Sequence, residues 1–274
     1  MIACLLIALL PLQDGGQAEE TELPEYRPEE ALVCLDRKVV EPAERGLYLR
    51  HRDGEMERVW VGEPYDSLWR LDRTVFVTER WTGKVLHLNT DFTVRKTWEG
   101  FSNPVDVEVT RNGLVVVVEN GANRITAIDP ESGERVWSRT GFNDPFDVAI
   151  TEDDGLLVAD SGAGRVVHLD ADGKQVRVHT GLGFPNAIES LEGGGFLVVN
   201  WTGGEVRSYD GAGKMTWQAR PGGTLFSVER RVDGRTLIGD GGSRRVIVYD
   251  RRGRQERVEH LPRGCVDYET ILRL

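Results

Sequence analysis

Residues 143–180 read NDPFDVAITEDDGLLVADSGAGRVVHLDADGKQVRVHT, and this stretch decides the fold. Residues 147–150 form an apolar run after Pro145, closed by the turn Glu152-Asp153-Asp154-Gly155. Residues 156–159 are a second run, ended by Asp160-Ser161-Gly162. Residues 166–169 are a third, ended by Asp170-Ala171-Asp172-Gly173. Residues 175–179 alternate polar and apolar, as a half-exposed outer strand does. Four short strands joined by tight turns make one antiparallel sheet. Such a sheet cannot bury both of its faces alone, so the fold depends on whether the stretch recurs.

It recurs in both directions. Pro64, Pro104, Pro145 and Pro185 each open a first strand, at spacings of 40, 41 and 40 residues, with Leu225 and Cys265 continuing the series. Second strands repeat as TVFVTE, LVVVVE, LLVAD, FLVVN and TLIGD, and third strands as KVLHLN, RITAID, RVVHLD, EVRSYD and RVIVYD. A period near 40 with four strands per unit predicts an all-β, six-bladed β-propeller of four-stranded antiparallel blades. Upstream of Pro64, residues 31–36, 46–50 and 55–61 supply three more strands. The count therefore expects the C-terminal strand to join the N-terminal blade and close the ring. Cys34 would then share a blade with Cys265. Register counting sets Cys34 opposite Glu269, about four residues from Cys265 and beyond disulfide reach.

The ends and the composition add location. Residues 2–12 are apolar and are followed by the small residues of Gly16-Gln17-Ala18, the pattern of a signal peptide over 1–18. Residues 19–30 form an acidic linker with two prolines, and 31–274 the propeller. The expected location is extracytoplasmic, periplasmic or secreted, with no stable membrane span after cleavage. A net charge of −11 argues against nucleic acid as a partner. The partner expected is a protein or a small-molecule ligand. The 32 glycines among 274 residues exceed the usual share of about 7% and suit many tight turns. The three cysteines and five histidines show no zinc-type spacing.

Three resemblances follow from quoted residues. Pro104-Val-Asp106-Val and Pro145-Phe-Asp147-Val, with Val158-Ala-Asp160 and Arg124 or Arg165, resemble NHL-repeat propellers. Ala127-Ile-Asp129-Pro-Glu-Ser-Gly133-Glu-Arg-Val-Trp137 resembles pyrroloquinoline-quinone-type repeats, echoed by Trp98 and Trp217. In that family the tryptophan packs the outer strand, which implies blade docking here. Pro185-Asn186 resembles the Asn metal-ligand motif of the gluconolactonase/regucalcin family, six-bladed metal-dependent hydrolases. This chain has Ala187 where that family has Gly, and no match to its ligand Glu.

Up-and-down blades bring first-strand starts and second-strand ends to one mouth of the channel. One polar ring would hold Asp66, Asp106, Asp147, Ser227 and Asp267, with Asn186 nearby. A second would hold Asp36, Glu79, Glu119, Asp160, Asn200 and Asp240. Crowded carboxylates suit a hard cation and raise one another's pKa, whereas acids repeated in nearly every blade also suit turn and loop bonding. Breaks in the repeat are more telling: Arg80-Trp81-Thr-Gly83 and Asn200-Trp201-Thr-Gly203 carry tryptophans able to stack on a ring or a cation. The candidate ligand-binding residues are Trp81, Trp201, Arg80, Asp106, Asp147 and Asp267. The candidate metal ligands are Asn186, Asp147 and Asp106, with calcium or magnesium the only cofactor suggested. No nucleophile elbow, phosphate loop or HExxH is present. The expectation is a non-enzymatic binding or scaffold module at an acidic, Trp-flanked mouth. The alternative is a metal-dependent hydrolase or lyase resembling gluconolactonases.

Overall fold

The computed structural model describes residues 31–35, 45–50, 56–69 and 74–260. They form six antiparallel sheets in chain order, each made of strands consecutive in sequence. Pro145–Ile150, Leu156–Asp160, Arg165–Leu169 and Gln175–Thr180 build the fourth sheet, within two residues of the boundaries expected from the sequence. The second, third, fifth and sixth sheets repeat it, with first strands Asp66–Trp69, Pro104–Val109, Pro185–Leu191 and Leu225–Arg230. The first sheet has three strands, Ala31–Leu35, Gly46–Arg50 and Met56–Val61.

The ring closure expected from the repeat count is corrected here. Among the described residues no sheet carries a C-terminal strand beside N-terminal ones, and the first sheet has three strands. Periodicity counts units along a chain but does not pair their edges. The signal peptide, the linker, Asp36, Cys265, Asp267 and the final strand lie outside the described residues. What stands is a β-propeller-like array of six blades.

The apolar continuity of the second strands has a simple cause: both faces are covered. Val115 and Val117 pack against Phe76, Val85 and Trp98 of the second sheet. Val116 and Val118 face the other way, against Val148, Leu156 and Val158 of the fourth. Leu157 and Ala159 then meet Phe196 and Val198 of the fifth sheet, whose Leu197 and Val199 meet Ile238 and Ile247 of the sixth. Leu47 of the first sheet packs on Val75 and Val77 of the second. First strands of successive sheets lie side by side, which places their starts around one axis.

Candidate site at the channel mouth

The second-strand acids prove architectural. Glu119, Asp160 and Asp240 are fully buried, and each accepts the backbone N–H of the loop entering its own sheet: Ser102 at 3.0 Å, Asn143 at 2.6 Å and Thr224 at 3.0 Å. Each also pairs with the arginine opening the third strand, Arg124, Arg165 or Arg245. Burial alone would raise the Glu119 pKa, but hydrogen bonds from Arg124, Thr126 and the Ser102 amide outweigh it and hold the carboxyl below the usual range. Asp240 is held down against its burial in the same way, first by Arg245 and Ser243. Mutual raising of pKa values, expected from crowding, does not occur at Glu119 and Asp240, because each has its own cation. Glu79 accepts from the Glu63 amide at 3.2 Å and from Thr82. Asn200 accepts from the Phe184 amide at 2.9 Å.

The first-strand acids latch neighbouring sheets. Asp106 Oδ2 accepts the Val148 N–H at 2.7 Å, and Asp147 Oδ2 accepts the Ile188 N–H at 2.6 Å. At the next junction the acid is replaced by Ala187. The adjacent Asn186, buried, donates through Nδ2 to the Leu225 carbonyl at 3.0 Å. Its Oδ1 is buried without a hydrogen-bond partner, as is Ser227 Oγ. Asn186, Asp147 and Asp106 thus lie on three successive first strands. Among the described residues, no three His, Cys, Asp or Glu side chains gather as a metal cluster.

A ring of bulge residues escaped the sequence reading. Each first strand of sheets three to six is irregular just after its opening residue, which frees Val105, Phe146, Asn186 and Phe226 from the ladder. Tyr65 precedes Asp66 as Phe146 precedes Asp147, and the rings of Tyr65 and Phe146 meet edge-on at 6.5 Å although the third sheet comes between theirs in the chain. The mouth is therefore aromatic on one side. The signal was in the sequence, as the residue after the Pro or Leu that opens each unit.

Arg80 spans this wall. Its Nη1 donates to Tyr65 Oη at 3.0 Å and its Nη2 to Asn120 Oδ1 at 3.3 Å. The guanidinium carbon lies 4.8 Å from the Tyr65 ring centroid and 5.1 Å from that of Trp81. Trp201 packs on Phe184 and Phe226, at 5.6 and 6.3 Å. The two tryptophans are not equivalent: Trp201 immediately follows its second strand, as Arg80 does, and Trp81 comes one residue later. Both remain partly exposed, 43% for Trp81 and 42% for Trp201.

The outer strands carry the observation that decides kinship. Trp98, Trp137 and Trp217 each reach a glycine in the following sheet's last turn. A Cβ added at Gly133, Gly173 or Gly253 would come within 3.2, 2.9 or 2.1 Å of those rings. This is the docking role implied by the pyrroloquinoline-quinone-type resemblance. The family model described as outer membrane protein assembly factor BamB, of the PQQ type, matches residues 121–270, more than half of the chain. The chain belongs to this family. The family description accords with an extracytoplasmic location, and among the described residues no helix is long and apolar enough to cross a membrane. The NHL identity is not shown.

Among curated proteins no relative matches the sequence. Solved structures do. A streptogramin B lyase matches with TM-score 0.70 at 12% identity, covering 86% of this chain and 84% of that one. Virginiamycin B lyase from Staphylococcus aureus matches with TM-score 0.65 at 13% identity over 86% and 85%. Its catalytically inactive histidine-to-alanine variant with quinupristin matches with TM-score 0.68 at 13% identity over the same shares. At such identity the likeness shows the fold. These neighbours are enzymes, and on that likeness the expectation of a non-enzymatic binding or scaffold module, with its lean away from enzymatic activity, is set aside. The described histidines of this chain, His87, His168, His179 and His260, sit on third and fourth strands, away from the first strands.

Proposed function

We propose that this chain is an exported enzyme of the lyase or hydrolase class, working at the channel mouth with a divalent cation, magnesium or calcium. The observation that carries the cation is Asn186: a buried amide whose Nδ2 is committed to the Leu225 carbonyl and whose Oδ1 has no partner. A buried acceptor left unpaired costs about 1–3 kcal/mol, and a hard cation would satisfy it. With no three-acid cluster among the described residues, the donor set fits a cation that keeps several waters, as magnesium does. Asn186, with Asp147 and Asp106 on the two preceding first strands, would hold it. When bound, such an ion polarises a carbonyl or ester oxygen. Proton abstraction falls to a carboxylate of this mouth that does not hold the ion, since the described histidines all lie on third and fourth strands. Trp81, Trp201 and Arg80 orient the ligand above them. Asp267, outside the described residues, belongs to the same proposed ring.

The likeness of Pro185-Asn186 to gluconolactonases and the shared fold with lyases support this reading. Family membership speaks for the repeat and for an exported chain, periplasmic or secreted behind residues 1–18, and not for a chemistry. The finer NHL kinship, resting on the Pro-x-Asp openings, bears only on repeat geometry.

Calorimetric titration with magnesium and calcium should find about one cation per chain, weakened about tenfold or more by Asn186→Ala. Incubation with quinupristin and with simple lactones, read by mass spectrometry, separates the classes: elimination conserves the substrate mass in its products, hydrolysis adds one water. Neither stoichiometric cation nor turnover would end the proposal.

A further inference from the structure

We infer that Arg80, Tyr65 and Trp81 form a binding site for an aromatic carboxylate. The inference deepens the proposed function by naming a ligand class, and rests on it only for the location of the binding mouth. The chain is acidic, with a net charge of −11, and its comparable arginines are neutralised: Arg124, Arg165, Arg207 and Arg245 each pair with a carboxylate of their own sheet. Arg80 forms no ion pair among the described residues. Equivalent turn positions in the third, fourth and sixth sheets carry Asn120, Ser161 and Gly241, so repeat architecture does not call for a cation there.

Two of the five guanidinium N–H groups are used, on Tyr65 and Asn120. The Nε–H is buried without an acceptor. Each terminal nitrogen keeps one more N–H. Unused N–H groups on a planar fork are the complement of a carboxylate, which accepts two parallel hydrogen bonds. Stacking on Tyr65 and Trp81 fixes the plane of the fork in advance, which lowers the ordering cost of binding. The partly exposed Trp81 ring and the Tyr65–Phe146 pair supply apolar ring surface next to the guanidinium, so a carboxylate attached to an aromatic ring uses both.

Quenching of tryptophan fluorescence tests this on cation-free protein with chelator present, using benzoate, benzamide and inorganic phosphate. Benzoate should quench saturably, and Arg80→Gln should weaken it at least about tenfold, about 1.4 kcal/mol. Benzamide should bind the wild type about as weakly as benzoate binds the variant. Arg80→Lys keeps the charge and loses the fork, and should also weaken benzoate if Arg80→Gln does not fold. Unchanged benzoate affinity in both variants, or no saturable quenching, overturns the inference. Phosphate competing as well as benzoate overturns its aromatic part. A protein that takes up cation and turns over substrate yet ignores benzoate refutes this inference alone; benzoate binding without cation or turnover refutes only the enzyme.

Discussion

Asp106 and Asp147 show how one side chain decides between ligand and latch. A Pro-x-Asp opening is legible in the sequence, but the acceptor role toward Val148 and Ile188 depends on strands about 40 residues away. Ala187 is the informative exception. Its sheet pairs Ile188 with Val198, as the next pairs Val228 with Ile238, at the same register from the bulge. The Val228 N–H is therefore the counterpart of the two latched amides, and no described side chain accepts from it. Ala187→Asp should restore the latch and stabilise the fold by about 1.5 kcal/mol, within the range for hydrogen bonds to charged groups. Urea unfolding checks this; a lower midpoint would mean the junction has no room for a carboxylate. Asn186, next to it, was readable as a break in the pattern, whereas its unpartnered oxygen was not, since orphaning is a property of surroundings.

At the scale of the element, the seam between the fourth and fifth sheets departs from the tryptophan rule. His179 takes the docking position: a Cβ at Gly213 would meet its ring at 2.5 Å. His168 lies beside it, ring centroids 5.0 Å apart, and both edges meet Phe196. The Nε2 atoms of both are buried without partners. Arg177 on their own sheet repels a proton. Tyr209 faces them across the seam, and Asp210 and Lys214 flank Gly213 in its turn, with the Asp210 carboxylate accepting from the Ala212 and Lys214 amides. Burial, His179 and Arg177 push the His168 pKa down to about 4, and burial with Arg177 lowers that of His179. The unfolded chain then binds protons that the folded chain refuses between about pH 6.5 and 4. Stability is full above that window and falls as pH drops through it. Discounted for partial exposure, the His168 share is roughly 1–2 kcal/mol. His168→Phe and His179→Trp should each flatten the fall in urea midpoint between pH 7 and pH 4.5, and an unchanged slope in both would place the acid sensitivity elsewhere. Both histidines are plain in the sequence as packing residues on strands. Their mutual contact is not, because it crosses a turn and a seam.

Across the whole molecule, the second to fifth sheets each share their second strand between two cores, with alternate residues facing alternate neighbours. No seam can part without uncovering the apolar faces of both sheets it joins. Trp137→Ala, at the seam between the third and fourth sheets, should cost roughly 2–4 kcal/mol while leaving one cooperative transition. Coincident urea curves by fluorescence and circular dichroism check this; separated curves would show the seams to be independent. The same scale explains the failed expectation of ring closure. A leftover strand at one end and three strands at the other balance arithmetically, yet which edges pair is set by contacts between distant segments.

The sequence by itself determined the unit, its period, the strand order within each sheet and the docking tryptophans. These follow from turn chemistry and from hydrophobic runs that act over a few residues. Only the tertiary structure decided that Asp106, Asp147, Glu119, Asp160 and Asp240 accept backbone N–H groups of neighbouring strands and loops, that Arg80 lies between Tyr65 and Trp81 without a counter-charge among the described residues, and that the Asn186 oxygen is unpartnered. The physical reason is that hydrogen-bond satisfaction and charge pairing belong to neighbours in space. In this chain those neighbours lie a full repeat apart.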